Sequence, residues 1–178
     1  RGWNPLEDRA IFEAIEAVPG LVRMLARLCN PSDMRTSTGE TLLHLVAQAG
    51  IGFPPKAQWF REALSVPTDI NAQTDRGHTA FHLLWTNGAL DNTRREDLAE
   101  WNRNNRTLLK AGLDVDIRAQ NGLSGRQVFF QALSIRSCLR DMAPQVEASF
   151  GKSYQQARSH RLDQALPAPS ANRRGPRF

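Results

Sequence analysis

The sequence predicts an all-α protein assembled from repeated helix-turn-helix units, and three observations lead there. Three stretches, residues 33–50, 71–84 and 116–129, share one pattern: a polar turn closed by Gly, a Thr or Ser two residues later, then an apolar segment. Two further apolar helical faces precede them, separated by a Pro19-Gly20 break. The 178 residues are also enough for one domain to bury a core without covalent staples.

The elements follow in chain order. Leu6, Ile11, Ala14, Ile15 and Val18 fall near one helical face, and Leu21, Val22, Met24, Leu25 and Leu28 near a second. Residues 1–30 therefore read as a helix pair without a leading hairpin, suited to cap a stack. Residues 31–150 hold the repeats. Gly39, Gly77 and Gly122 supply a position able to take positive φ at the end of a hairpin-like turn. Thr41, Thr79 and Ser124 then stand where an N-cap hydroxyl meets the first free helix N–H groups. His44 and His82 follow one helical turn later, placed to bond back toward the cap and to the adjacent loop. Segments 126–133 and 135–142 read as the last helix pair. Residues 151–178 read as a basic tail, disordered because 166–178, rich in Pro, Ser, Ala and Arg, has too little apolar surface to fold.

Gly39-Glu40-Thr41-Leu42-Leu43-His44 and Gly77-His78-Thr79-Ala80-Phe81-His82 resemble the motif that opens the first helix of the ankyrin repeat. Asp69-Ile70-Asn71-Ala72 and Leu108-Leu109-Lys110-Ala111-Gly112-Leu113-Asp114-Val115-Asp116 resemble the family's lead-ins to its turns. The resemblance covers residues 6–135 and implies an ankyrin-type repeat solenoid with hairpin-like loops. Leu42 and Ala80 stand where the family has Pro, which loses some preorganisation. The turn glycines are 38 and 45 residues apart, against about 33 for the ideal unit. The surplus is expected between the two helices of each repeat, near 51–56 and 89–103. The third repeat lacks both Thr and His, as a degenerate terminal unit would.

Ankyrin-like stacking implies an extended concave surface that binds another protein through the turn tips and the exposed face of each first helix. Carried over by position, the candidates are Arg35, Ser37, Thr38, Glu40 and Gln48, then Gln73, Asp75, Arg76, His78 and Thr86, then Arg118, Gln120, Asn121 and Gln131. Arg35, Arg76 and Arg118 rank first, because Arg is enriched among residues that dominate interfaces. The insertions are a second candidate surface. Trp85 stands where the family carries a small residue, and Trp85 with Trp101 is expected to enlarge the core. The competing expectation is that Trp59 or Trp101 is partly exposed as a partner anchor.

No feature points to catalysis. His44 and His82 are read as structural hydrogen-bonders of the repeated motif rather than as metal ligands or general bases. Ser124-Gly125 lacks the context of a nucleophile elbow. No phosphate loop, dinucleotide fingerprint or paired-carboxylate site appears, so no enzyme, cofactor or metal is expected. Cys29 and Cys138 are isolated and read as small buried hydrophobes in a reducing compartment.

The net charge of +5 resides in the tail. Six of the 23 basic residues and one of the 18 acids follow Phe150, leaving 17 of each before it. A folded body without net charge weakens the nucleic-acid reading, and the tail supplies the alternative: an unspecific electrostatic contact with nucleic acid or an anionic membrane. Twenty of the basic residues are Arg and three are Lys. With the degenerate repeats, that composition fits a bacterial effector or regulatory protein, soluble in the cytoplasm or, if secreted, in a host cytosol. It also fits a GC-rich coding sequence. No run is long enough to span a bilayer. The start at Arg1 suits a fragment or processed product, which keeps a spacer within a longer protein as a third reading.

Overall fold

The computed structural model describes residues 6, 10–18, 20–28, 35–49, 55–86 and 94–165. Among them the chain is helical: α1 (Ala10–Ala17), α2 (Leu21–Leu28), α3 (Leu42–Gln48), α4 (Ala57–Ala63), α5 (Ala80–Thr86), α6 (Leu98–Lys110), α7 (Gly125–Ile135), α8 (Ser137–Arg140) and α9 (Ala143–Ala165). A 3₁₀ turn, Arg95–Asp97, leads into α6. Extended pairing among the described residues is limited to an isolated antiparallel bridge between Arg118 and Ser124. No described helix is long and apolar enough to cross a membrane.

The helices lie in two rows. In the first, α3 packs on α5 and α5 on α7; in the second, α2 packs on α4, α4 on α6 and α6 on α9. The apolar positions explain this. Leu42, Leu43, Leu45, Val46 and Ala47 leave almost no face of α3 in water, so it must be enclosed by α2, α4 and α5. In α6 the buried residues Leu98, Trp101, Asn105 and Leu108 recur at helical spacing and face the core, while Arg103, Arg106 and Lys110 are exposed. The pair α1 and α2 buries Ile15, Val22 and Leu25, whereas Val18, Met24 and Leu28 remain exposed.

Three sequence expectations are corrected here. Residues 151–165 are not tail: they continue α9, whose Val146, Phe150, Ser153 and Ala157 are buried at helical spacing against the body. Segment 135–142 is not the closing helix either. It holds one short turn, α8, and α9 occupies the place on α6 that a second helix of the last pair would take. Third, the long insertion near 89–103 is in part helix, because residues 95–103 form the 3₁₀ turn and the first turns of α6. Positions 51–54, 89–93 and 166–178, like Cys29, lie outside the described residues.

The tryptophans also decide between two expectations. Trp59, Trp85 and Trp101 are 8%, 2% and 1% exposed, so neither Trp59 nor Trp101 is a surface anchor. Trp85 lies 5.4 Å from Trp101 and 4.6 Å from Phe129, edge-on to the latter. Phe129 stacks on Phe150 at 4.4 Å, and Phe150 on Tyr154 at 6.1 Å. This chain of rings joins α5, α6, α7 and α9. Its polar edge is satisfied as well, since the Trp85 indole N–H donates to Asn105 Oδ1 at 3.1 Å. The neighbouring Asn104 donates from Nδ2 to the Pro55 carbonyl at 2.6 Å, tying α6 to the lead-in of α4.

Candidate functional site

The turn tips form a ladder in which each tip is fastened to the next. Asp75 N–H donates to Thr38 O at 3.0 Å, and 45 residues later Gln120 N–H donates to Arg76 O at the same distance. Side chains repeat the pattern. Arg35 Nη1 donates to Gly39 O within its own turn and to Gln73 O in the next, at 3.2 and 3.0 Å. Gln73 Nε2 does the same toward Gly77 O and Arg118 O, at 2.7 and 3.1 Å. Arg118, in the last turn, donates to Gly122 O at 2.7 Å. Arg35, Gln73 and Arg118 are thus the register-equivalent residues, and Arg76 lies elsewhere on its tip.

The glycines permit the close approach. Gly39 and Gly77 have φ of +77° and +76°, in the left-handed region. A Cβ on Gly77 would stand 2.9 Å from Gln120 N and 3.1 Å from Ala119 Cα; one on Gly39 would stand 3.0 Å from Asp75 N. Each glycine therefore serves its own turn and the seating of the next.

The histidines connect the tips to the helices. His44 Nδ1 accepts from Thr41 N–H at 3.0 Å, which places the ring proton on Nε2, and Nε2–H donates to His78 O at 3.0 Å. His82 repeats this, accepting from Thr79 N–H at 3.1 Å and donating to Leu123 O at 3.2 Å. Burial lowers the pKa of both rings, against a smaller raising effect of those carbonyls. The neutral tautomer that the hydrogen bonds require is thereby favoured. In the third turn, Ser124 and Gln127 form a reciprocal capping box: Ser124 N–H donates to Gln127 Oε1 at 2.9 Å and Gln127 N–H to Ser124 Oγ at 3.3 Å.

These bonds sort the fourteen candidate residues. Arg35, Gln73 and Arg118 are exposed, and each is engaged with backbone carbonyls of the turns. Gln120 donates to Asp75 O at 2.6 Å and Asn121 Oδ1 accepts from Leu123 N–H at 3.1 Å. Thr38 donates to Glu40, and Glu40 accepts from Gln48, at 3.2 and 2.8 Å. The Thr86 hydroxyl donates back to His82 O at 3.0 Å. Ser37 is exposed at its tip. His78 is half-buried and stacks on His82 at 5.8 Å, its pKa lowered by burial and by Arg76. Asp75, Arg76 and Gln131 are exposed, and their side chains form no hydrogen bond or ion pair among the described residues. The first two sit on one tip beside His78. Gln131 lies on α7.

Sequence reasoning missed Phe150 and Tyr154. Tyr154 donates to Asp116 Oδ2 at 3.3 Å, Arg126 pairs with the same oxygen at 2.9 Å, and the Arg126 guanidinium lies 4.5 Å over the Tyr154 ring. The spacing of Met142, Val146, Phe150, Tyr154 and Ala157 was the available signal. Among the described residues no group of three His, Cys, Asp or Glu is placed to hold a metal ion. Comparison with protein-family models and with curated proteins finds no match to this chain.

Proposed function

We propose that the chain is a non-catalytic protein-binding module of ankyrin type, which engages its partner through the row of turn tips and the adjoining faces of α3, α5 and α7. The tip-to-tip ladder carries the reading. Backbone and side-chain bonds hold three loops in fixed register, so a partner meets a preorganised surface and little ordering entropy opposes binding. The middle tip offers Asp75, Arg76 and His78 to that partner, with an acid, a cation and a ring side by side. The Thr-His pairs, each bonded to the following turn, support the resemblance to ankyrin repeats on the residues that first suggested it. A bacterial effector or regulatory protein fits the arginine-rich composition, and a cytoplasmic or host-cytosolic setting goes with that reading.

The test is affinity capture from lysate with the immobilised full chain, compared with Arg76→Glu and with Asp75→Lys. Both side chains are free of bonds to the other described residues, so neither variant should shift the thermal midpoint. Loss of a captured protein in both variants is the expected result. A protein retained equally by both, and lost only when residues 166–178 are removed, would move the function to the tail. Truncation must not begin at 151, because that removes the buried part of α9.

A further inference from the structure

Three cations that meet no carboxylate among the described residues border one groove on the second row of helices. Arg106 and Lys110 on α6 and Lys152 on α9 line it together with Ser149, Ser153 and Gln156, enclosing about 260 Å³. That is several times the roughly 30 Å³ occupied by one water. The register explains the convergence. Arg106 and Lys110 are four residues apart, and Ser149, Lys152, Ser153 and Gln156 share one face of α9, along the seam where the two helices pack.

The charges are unopposed. Arg23, Arg94, Arg103 and Arg126 each meet an acid. Arg106, Lys110 and Lys152 are exposed and form no ion pair or hydrogen bond among the described residues. Glu100, on α6, is engaged by Arg103 and by Ala57 N–H. Glu147 is turned about 200° from Ser149 around α9. Like charges gathered around a groove repel one another and raise the local potential unless an anion joins them.

The lining also selects the kind of anion. A guanidinium, two ammonium groups, two hydroxyls and an amide supply many donors, which suits a group with several charged oxygens. The groove has no aromatic platform on which a nucleobase would stack. It also has no apolar anchor of the kind that dominates protein interfaces. We propose that this groove binds the phosphates of a small polyphosphorylated ligand, either soluble or displayed as a lipid headgroup. The site stands apart from the protein-binding reading, since α6 and α9 carry none of the turn-tip residues.

Binding of inorganic tripolyphosphate to the full chain by calorimetry, and of phosphatidylcholine vesicles with and without a phosphoinositide by co-sedimentation, tests this. Arg106→Gln with Lys152→Gln should weaken binding by about tenfold, the loss of charge-assisted bonds. Lys110 is left in place because a cation in the last turn of α6 also offsets the helix's negative pole. Arg173→Gln with Arg174→Gln removes the same charge from the tail and should leave affinity within about twofold, as screened, unspecific charge would. Tripolyphosphate binding alone assigns a soluble ligand; binding only to phosphoinositide vesicles assigns a headgroup. Equal loss in the groove and tail variants, no loss in the groove variant, or no binding of either probe by the unaltered chain overturns the proposal.

Discussion

The middle turn and the last turn of the first row start from nearly the same sequence pattern and end in different environments. Thr79 and Ser124 occupy the same position before α5 and α7. Three residues on stand His82 and Gln127, and six residues on stand Trp85 and Phe130. The middle unit has neighbours on both sides, with α5 between α3 and α7. The last has α5 on one side and no described first-row helix on the other. His82 sits where a following carbonyl, Leu123 O, is within reach. Gln127 sits where none follows among the described residues, and an amide completes the cap without a second ring nitrogen left to satisfy. The side chain at each position is thus the one whose hydrogen-bonding atoms its environment can use.

The sixth position gives the largest expected contrast. Trp85 is 2% exposed and Phe130 is 42% exposed. Trp85→Ala removes a ring packed on Trp101 and Phe129 and leaves Asn105 Oδ1 without its donor, so it should cost about 3–5 kcal/mol in urea unfolding. Phe130→Ala should cost about 1 kcal/mol or less, because much of its surface is already in water. Similar losses for the two would mean that the end of the row is covered.

Gly77 and Gly122 come next. Both have positive φ, +76° and +80°, so an alanine costs about 1–2 kcal/mol at either from backbone conformation alone. At Gly77 the new methyl also meets the backbone of the next turn at 2.9 Å, whereas nothing lies within 4 Å at Gly122. Gly77→Ala should therefore cost about 3 kcal/mol and Gly122→Ala about half that, measured as the shift in unfolding free energy. Equal costs would show that the turns do not depend on their close contact.

The same contrast shows what could be read from sequence. The Gly-x-Thr-x-x-His pattern located the turns, the helix starts and the structural role of the histidines, because each depends on local geometry that one residue type serves best. The α-helical class followed from apolar periodicity for the same reason. Two things were not local. Composition beyond Phe150 looked like tail, yet Phe150 and Tyr154 are held by Phe129, Arg126 and Asp116, which contact them from residues 116–129. The tip arginines looked equivalent, yet Arg35 engages a carbonyl of its own turn and one of the next, Arg118 engages a carbonyl of its own turn, and Arg76 engages none among the described residues. Burial by a distant segment and hydrogen bonds between turns leave no mark in the spacing of a single motif.

Exchanging the third residue tests the hydrogen-bond half of the comparison. His82→Gln keeps an acceptor for Thr79 N–H, as Gln127 does for Ser124, and loses the Nε2–H bond to Leu123 O. The expected cost is about 1–2 kcal/mol in unfolding free energy. Gln127→His should change stability by less than about 0.5 kcal/mol, since among the described residues no turn follows to accept its proton. A stabilising Gln127→His would point to an acceptor beyond the last turn.

The smallest effect expected is a pH dependence that the histidine-bearing turns have and the last turn lacks. The pKa values of His44, His78 and His82 are lowered in the folded chain, each chiefly by burial. An unfolded chain takes up protons on these rings near the ordinary value of about 6.5. As pH falls below that value the unfolded state binds more protons than the folded one, so folding weakens. The contribution is fully present above about pH 6.5 and is lost as pH falls toward the lowered folded values. Between about pH 7.5 and about pH 5.5 most carboxylates stay ionised, so the change in urea midpoint reports mainly on the histidines. Doubly substituted His44→Gln with His82→Gln should lose most of that change while keeping both caps. His78, its pKa also lowered by burial, remains as a residual source, and an undiminished pH dependence in the double variant would assign the effect to it.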